Sequence, residues 1–340
     1  MVLDPAVNVA HHDDIDGIVP PAGRDGFVGH ASAWAELNGA LQGGRMHHAW
    51  LLQGPNGIGK ATLAFAFARM LLAQNGDQSA VARQIAQGSH PGLVHLARPQ
   101  SDRTPGFKTQ ITVDEVRRLM HFFHTTAGLG WRVAIVDPVD DMNRSAANAL
   151  LKILEEPPAR SVFLVINHMP GRLLPTIRSR CRVLKFAPLA VDDMVPLLRS
   201  DVAGVTATEA TNAAELSGGS LRTAFQRLVS GGLEVGAEVA RLFEAKNPDW
   251  AGLVKLSDAL TLKGREAAFD LMMQDLFALL AVEAETAAKA GNLAQAERLA
   301  AFWAAEDARW REAFAFNLDR KQVVLTFFHG LAAARGHSPA

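Results

Sequence analysis

The 340-residue sequence predicts a parallel α/β domain of five strands, followed by two all-helical regions. Two observations carry this. Short apolar runs alternate with amphipathic stretches as far as about residue 187, the pattern of a parallel sheet covered on both faces. Beyond Pro188 no strand pattern recurs, while helical periodicity continues almost to the end. At about 150 residues per domain, a chain of this length holds two or three domains.

The elements follow in order. The first 25 residues are polar, end near Pro20, Pro21 and Gly23, and read as a loose, flexible N-terminal arm. Ala49–Gln53, Leu93–Ala97, Val133–Asp137, Val162–Asn167 and Val183–Ala187 read as buried strands. Helical patterns lie between them at Lys60–Gln74, Thr112–Thr126 and Asn143–Leu154. After Pro188, Val191–Asp201, Ala207–Leu216 and Ser220–Val229 read as short helices around a Gly218–Gly219 break, with another at Ala237–Ala245. Past Asn247–Pro248 the chain turns rich in Ala and Leu. Glu266–Gly291, Leu293–Glu306 and Trp310–Arg335 then read as a helical bundle. The expected organisation is an arm (1–25), an α/β core (26–187), a small helical domain (188–244) and a second helical domain (245–336).

Composition removes several classes of function. Hydrophobic residues make up 49% and charged residues 20%, as in soluble chains with sizeable cores. The 34 basic and 35 acidic side chains nearly cancel, so there is no chain-wide attraction to nucleic acid, although a local patch remains possible. The single cysteine, Cys181, excludes an internal disulfide framework and a cysteine-rich zinc site, and suits a cytoplasmic protein. Residues 1–17 have no basic cluster and no apolar core, so they do not form a signal peptide. The most apolar stretch, Ala64–Ala73, is interrupted by Arg69 and too short to span a bilayer, so no membrane partner is expected. His121 and His124 share a helix face, but no carboxylate or cysteine completes a metal set. His11-His12 with Asp13-Asp14 falls in the arm. No resident metal is expected.

The most specific signal is Gly54-Pro-Asn-Gly57-Ile-Gly59-Lys60-Ala61-Thr62, between the first strand and a helix. This is the context in which GxxxxGK cradles phosphate. Glycines turn backbone N–H groups inward, the helix N-terminus adds partial positive charge, and Lys60 reaches the terminal phosphates. The residue after the lysine, normally Ser or Thr on Mg²⁺, is Ala61 here. Thr62 is rotated by about 100° around the helix and cannot replace it.

Val133–Asp137 is an apolar strand ending in Asp137, as expected of the acidic residue near Mg²⁺. The following position is Pro138, which cannot act as a base. Asp140 and Asp141 read as a solvated loop or as caps for the helix near Asn143. With a metal ligand and a base both missing, little or no hydrolysis is expected.

Further motifs narrow the reading. Ala146-Ala-Asn-Ala-Leu-Leu-Lys-Ile-Leu-Glu155-Glu156-Pro157-Pro158 resembles the NALLKxLEEPP signature of clamp-loader subunits of the AAA+ type. Ser179-Arg180-Cys181 is similar to their SRC motif, Gly219-Ser-Leu-Arg222 to their sensor 2 motif, and His48-Ala49-Trp50 to their entry to the first strand. The resemblance covers residues 27 to 230 by motif and the helical tail by character.

This resemblance implies an AAA+ core, a helical lid and a helical collar that joins subunits in a ring. It implies a hydrolysis-deficient, stator-like subunit of the bacterial DNA polymerase III clamp loader, a part of the polymerase holoenzyme. Its partners would be gamma/tau and delta subunits and, through the complex, the sliding clamp and primed DNA. Arg180 would act in trans on a neighbour's ATP. Gly54, Gly57, Gly59, Lys60, Ala61, Thr62, Asp137, Asn167 (the sensor 1 position) and Arg222 would form a degenerate site for ATP or ADP, with Mg²⁺ only alongside nucleotide and no zinc. Motor subunits of the family carry a four-cysteine zinc module, and the corresponding stretch Gln74–His90 has no cysteine. Glu155 and Glu156 read as a helix end making interface contacts. Two rival readings remain: an active gamma/tau-type ATPase, and a phosphate-loop kinase or small-molecule transferase, which leaves the SRC and LEEPP motifs unexplained.

Overall fold

The computed structural model describes residues 11–74, 76–101, 106–125, 130–245, 248–262, 264–316 and 318–336. The chain divides into two compact units, residues 1–224 and 225–340.

The first unit is built on a five-stranded parallel sheet. Its strands are β1 (Ala49–Gln53), β2 (Leu93–Leu96), β3 (Arg132–Val136), β4 (Ser161–Asn167) and β5 (Arg182–Lys185), in the spatial order β2-β3-β4-β1-β5. All five expected strands are present, shifted by no more than two residues at their ends. Side chains alternate between faces along a strand. Trp50, Leu52, Ile135 and Leu164 therefore pack on one side with Leu63 and Phe67. Leu51, Val136 and Val165 pack on the other with Leu119 and Leu150. Burial on both faces explains why these strands read as unbroken apolar runs.

The helices of this unit are α1 (Ala31–Gln42), α2 (Lys60–Leu72), α3 (Gln78–Ala86), α4 (Val113–Thr125), α5 (Arg144–Glu155), α6 (Pro175–Arg178), α7 (Val191–Asp201), α8 (Ala207–Glu215) and the start of α9 (Leu221–Val229). Local caps set several boundaries. Asp77 accepts from Ser79 N at the start of α3, Asn143 accepts from Ala146 N at the start of α5, and Thr206 and Glu209 form a reciprocal capping box on α8.

The first ten residues of the expected arm lie outside the described residues. Over 11–25 the segment is not loose. Arg69 donates to Ala22 O at 2.9 Å and also to Arg24 O, and Arg24 pairs with Asp201 at 2.6 Å. Long-range partners hold a segment whose own composition gives no reason for order.

The second unit contains α10 (Gly232–Glu244), α11 (Trp250–Leu260), α12 (Glu266–Lys289), α13 (Leu293–Phe316) and α14 (Arg320–Ala334). Phe269, Leu276, Leu280, Val324 and Phe327 form its core. Arg227 grips both carboxylate oxygens of Asp275, one at 2.9 Å, with little of either side chain exposed. A helix break was expected between Glu306 and Trp310. Instead α13 runs through, stapled by Glu306–Arg309 and Asp307–Arg311 pairs one turn apart. The next helix starts only where Asp319 caps Lys321 N. Among the described residues no helix is long and apolar enough to cross a membrane.

Candidate nucleotide site

The loop between β1 and α2 is fixed from several directions. Gly54 N donates to Asn167 O at 3.2 Å. Gly57 has φ +77, a conformation that strains L side chains, and it is also tightly enclosed. A Cβ there would stand 2.6 Å from Arg222 Cβ and collide with Ser220 Oγ, and Arg222 N donates to Gly57 O at 3.1 Å. Ser220 and Arg222 thus pack directly on the loop. His30 Nε2 lies 2.7 Å from Ile58 O, its ring rests on Phe186, and burial lowers its pKa.

Lys60 is 2% exposed. Its ammonium donates to Gly54 O at 2.7 Å and to Pro55 O. Burial lowers its pKa to about 8, while the carboxylates of Asp137 and Asp140 oppose that shift. The group therefore sits at the N-terminus of α2, held by loop carbonyls that phosphate oxygens could replace.

Asp137 follows β3, and its Oδ2 lies 3.5 Å from His95 Nε2. Burial alone would raise its pKa. Interaction with His95, His168 and His12 outweighs burial, so the carboxyl stays below its usual range and is ionised at neutral pH.

The expectation that Asp140 and Asp141 are solvated or cap α5 is corrected. Asp140 accepts from Asn167 Nδ2 at 2.8 Å, His168 N at 2.6 Å and Met169 N at 3.0 Å. The fully buried Asn167 in turn accepts from Gln53 Nε2 at 3.0 Å. Gln53, Asn167 and Asp140 therefore tie the ends of β1 and β4 to the turn after β3. Asp141 takes Arg98 in a bidentate pair at 2.5 and 2.8 Å.

One cavity borders the loop at Gly59, and another lies beside Asp137. The first, of about 400 Å³, is lined by Phe27, Val28, Gly59, Thr62, Leu189 and Leu221 among others. The second, of about 240 Å³, is lined by Asp137 with His11, Phe65, Val94 and His95 among others. Thr62 and Asp137 thus line separate cavities. The glycines and Lys60 fit the phosphates of a nucleotide, and the first cavity, lined also by Arg24, Asp25 and Asp201, adjoins them at Gly59. Mg²⁺ accompanying it would find Asp137 but no hydroxyl at Ala61. Among the described residues no group of three or more His, Cys, Asp or Glu could hold a metal ion. Arg222 reaches Asp13, donating to its carbonyl oxygen and lying 3.3 Å from its Oδ1.

Arg180 stands elsewhere. In the β1–β5 register Arg182 lies opposite Trp50 and Lys185 opposite Gln53. Arg180 therefore precedes the N-terminal end of β5, whereas the phosphate loop leaves the C-terminal end of β1. About 10–13 Å of strand separates the two ends at roughly 3.3 Å per residue. Arg180 Nη2 lies 2.7 Å from Glu155 Oε1, Nη1 donates to Thr176 O at 3.0 Å, and the side chain is 35% exposed. Arg178 is exposed. Arg182 is exposed, pairs with Glu36 at 2.8 Å and lies over Trp50. Burial pushes the Cys181 thiol up to about 12, which removes it as a nucleophile. His121 is exposed, and the side chain of His124 lies outside the described residues.

The structure thus brings together Gly54, Gly57, Gly59, Lys60, Ala61, Thr62, Asp137, Asn167 and Arg222, and sets Arg180 apart. Sequence reasoning missed Gln53, His30, His95 and Asp13, and misjudged Asp140. Only Asp140, close behind Asp137, carried a local hint.

Residues 29–190 match the family model described as DNA polymerase III, delta subunit. Over 155 residues the chain is 44% identical to the DNA polymerase III subunit delta' of Pseudomonas aeruginosa, covering 44% of each protein. It is 38% identical to that of Escherichia coli over 160 residues, 45% of this chain and 46% of the relative. The DNA polymerase III subunit gamma/tau of Mycobacterium bovis is 34% identical over 187 residues, 52% of this chain and 31% of the relative. The matched segment spans about half the length of the delta' relatives or less. A solved gamma subunit-related protein from Thermotoga maritima is 19% identical with a TM-score of 0.42, covering 86% of this chain and 95% of that one. Over this phosphate-loop half, the chain is similar to the delta' and gamma/tau subunits of DNA polymerase III.

Proposed function

We propose that this chain is a delta'-type, stator-like subunit of a cytoplasmic DNA polymerase III clamp loader. It supports ATP-dependent loading of the sliding clamp on primed DNA, is itself hydrolysis-deficient, and donates Arg180 to the ATP held by a neighbouring subunit. Its direct partners are gamma/tau and delta subunits, and it meets clamp and DNA through the complex. The observation that carries this reading is the position of Arg180, half-exposed at the end of the strands opposite the chain's own phosphate loop. That position supports a role toward a phosphate outside this subunit's own site.

The chemistry follows from the groups present. A guanidinium is planar, permanently charged and weakly hydrated, so it can leave one carboxylate and meet a phosphoryl group as charge builds on it. An arginine supplied in trans is worth about 10³–10⁵ in rate in related systems. At the chain's own site Lys60 and the loop glycines can hold the phosphates of ATP or ADP. Ala61 supplies no metal ligand and Pro138 no base, so bound nucleotide is not turned over.

The test is phosphate release by the purified chain with ATP and Mg²⁺, compared with the reconstituted complex. The expected result is a background rate for the isolated chain and turnover only in the complex. Brisk release by the isolated chain would favour a gamma/tau-type motor.

A further inference from the structure

The segment His11–Asp14 lies beside Asp137: His11, Asp13 and Asp14 line one cavity together with His95 and Asp137. Asp13 supplies two oxygens to Arg222, one from its carbonyl and one from its carboxylate. The backbone of Arg222 is bonded to Gly57 of the loop, so the reach of its guanidinium is limited. Asp13 is also close enough to His168 and Arg98 to act on both electrostatically. Flanking residues seat the segment on the acidic side of the site. The His11 ring lies 4.5 Å from that of His95, which faces Asp137. His12 Nε2 lies 3.8 Å from Asp141 Oδ2.

Two oxygens on one guanidinium are what a phosphate group would present there. Asp13 engages both Nη nitrogens of Arg222, so a phosphate seeking the same bidentate contact competes with it. We propose that His11–Asp14 is a built-in competitor for nucleotide, with Asp13 standing on Arg222 where a phosphate would bind, so that nucleotide entry requires the segment to leave. This rests on the reading that the phosphate loop binds nucleotide. The Asp13 side chain is 38% exposed and that of Arg222 23%, so the pair is weak enough to be displaced. The displaced segment would then report nucleotide occupancy on the outside of the subunit.

The test titrates a fluorescent, non-hydrolysable ATP analogue into the full chain, Asp13→Ala, and a chain lacking residues 1–14, read by anisotropy. Amide exchange over residues 15–25 of the full chain is followed with and without the analogue. The expected result is about two- to fivefold tighter binding by Asp13→Ala, a larger gain in the shortened chain, and faster exchange when nucleotide is bound. Equal affinity in all three chains with unchanged exchange would overturn the competitor and leave nucleotide binding intact. No binding by any chain, including the shortened one, would remove the nucleotide reading and the competitor with it.

Discussion

Arg180 Nη2 lies 2.7 Å from Glu155 Oε1, joining the last turn of α5 to the turn that leads into β5. Two motifs set apart in the sequence, LEEPP and SRC, meet in this pair at the end of the strands away from the phosphate loop. Glu155 thereby gains a more specific role than a helix-end contact: it holds the guanidinium in place. Both side chains are substantially exposed, so the pair contributes about 0.2–1 kcal/mol at most. It can aim Arg180 without trapping it.

Glu155→Ala should therefore leave folding and assembly unchanged. ATP turnover of the reconstituted complex should fall about two- to fivefold, in line with a weak positioning contact. Steady-state phosphate release and gel filtration of the same sample measure both.

Lys60 makes stability depend on pH. In the unfolded chain its ammonium keeps its proton up to about 10.5, and in the folded chain only to about 8. Between those values the unfolded state binds more protons, so stability rises with pH across the window. Below it the burial cost is fully present, about 3 kcal/mol. Lys60→Met should be more stable than the native chain by about 1–3 kcal/mol at pH 7, a gain that shrinks by pH 9.5. Urea denaturation at both pH values measures it. The same variant should lose binding of the ATP analogue.

Asp140 accepts three hydrogen bonds from the end of β4 and the turn after it. Asp140→Ala leaves those donors without their acceptor and should cost about 2–4 kcal/mol in urea denaturation. A loss below about 0.5 kcal/mol would mean that the Gln53–Asn167–Asp140 chain does not hold the strand ends together.

The strands, the phosphate loop and α2 were legible because their signals are local: apolar runs, glycines and a lysine at fixed spacing. The absence of a ligand at Ala61 and of a base at Pro138 could be read the same way. Asp140 could not, because its partners sit on β4 and become neighbours only when β3 and β4 pair. Asp13 was hidden for a similar reason, since the arm's composition gives no hint of Arg222. The continuation of α13 past Glu306 depended on paired charges one turn apart, which a reading of apolar periodicity overlooks.

In the second unit, Asp275→Ala would leave Arg227 buried without the carboxylate that grips it. The expected loss is about 3–5 kcal/mol, read by chemical denaturation of the full chain. The ATP analogue should still bind, because the phosphate loop lies in the other unit.

The most direct measurement compares ATP turnover by complexes rebuilt from gamma/tau and delta subunits with either the native chain or Arg180→Ala. The account predicts at least about a tenfold fall in turnover, with assembly intact by gel filtration. An unchanged rate in a fully assembled complex would contradict it.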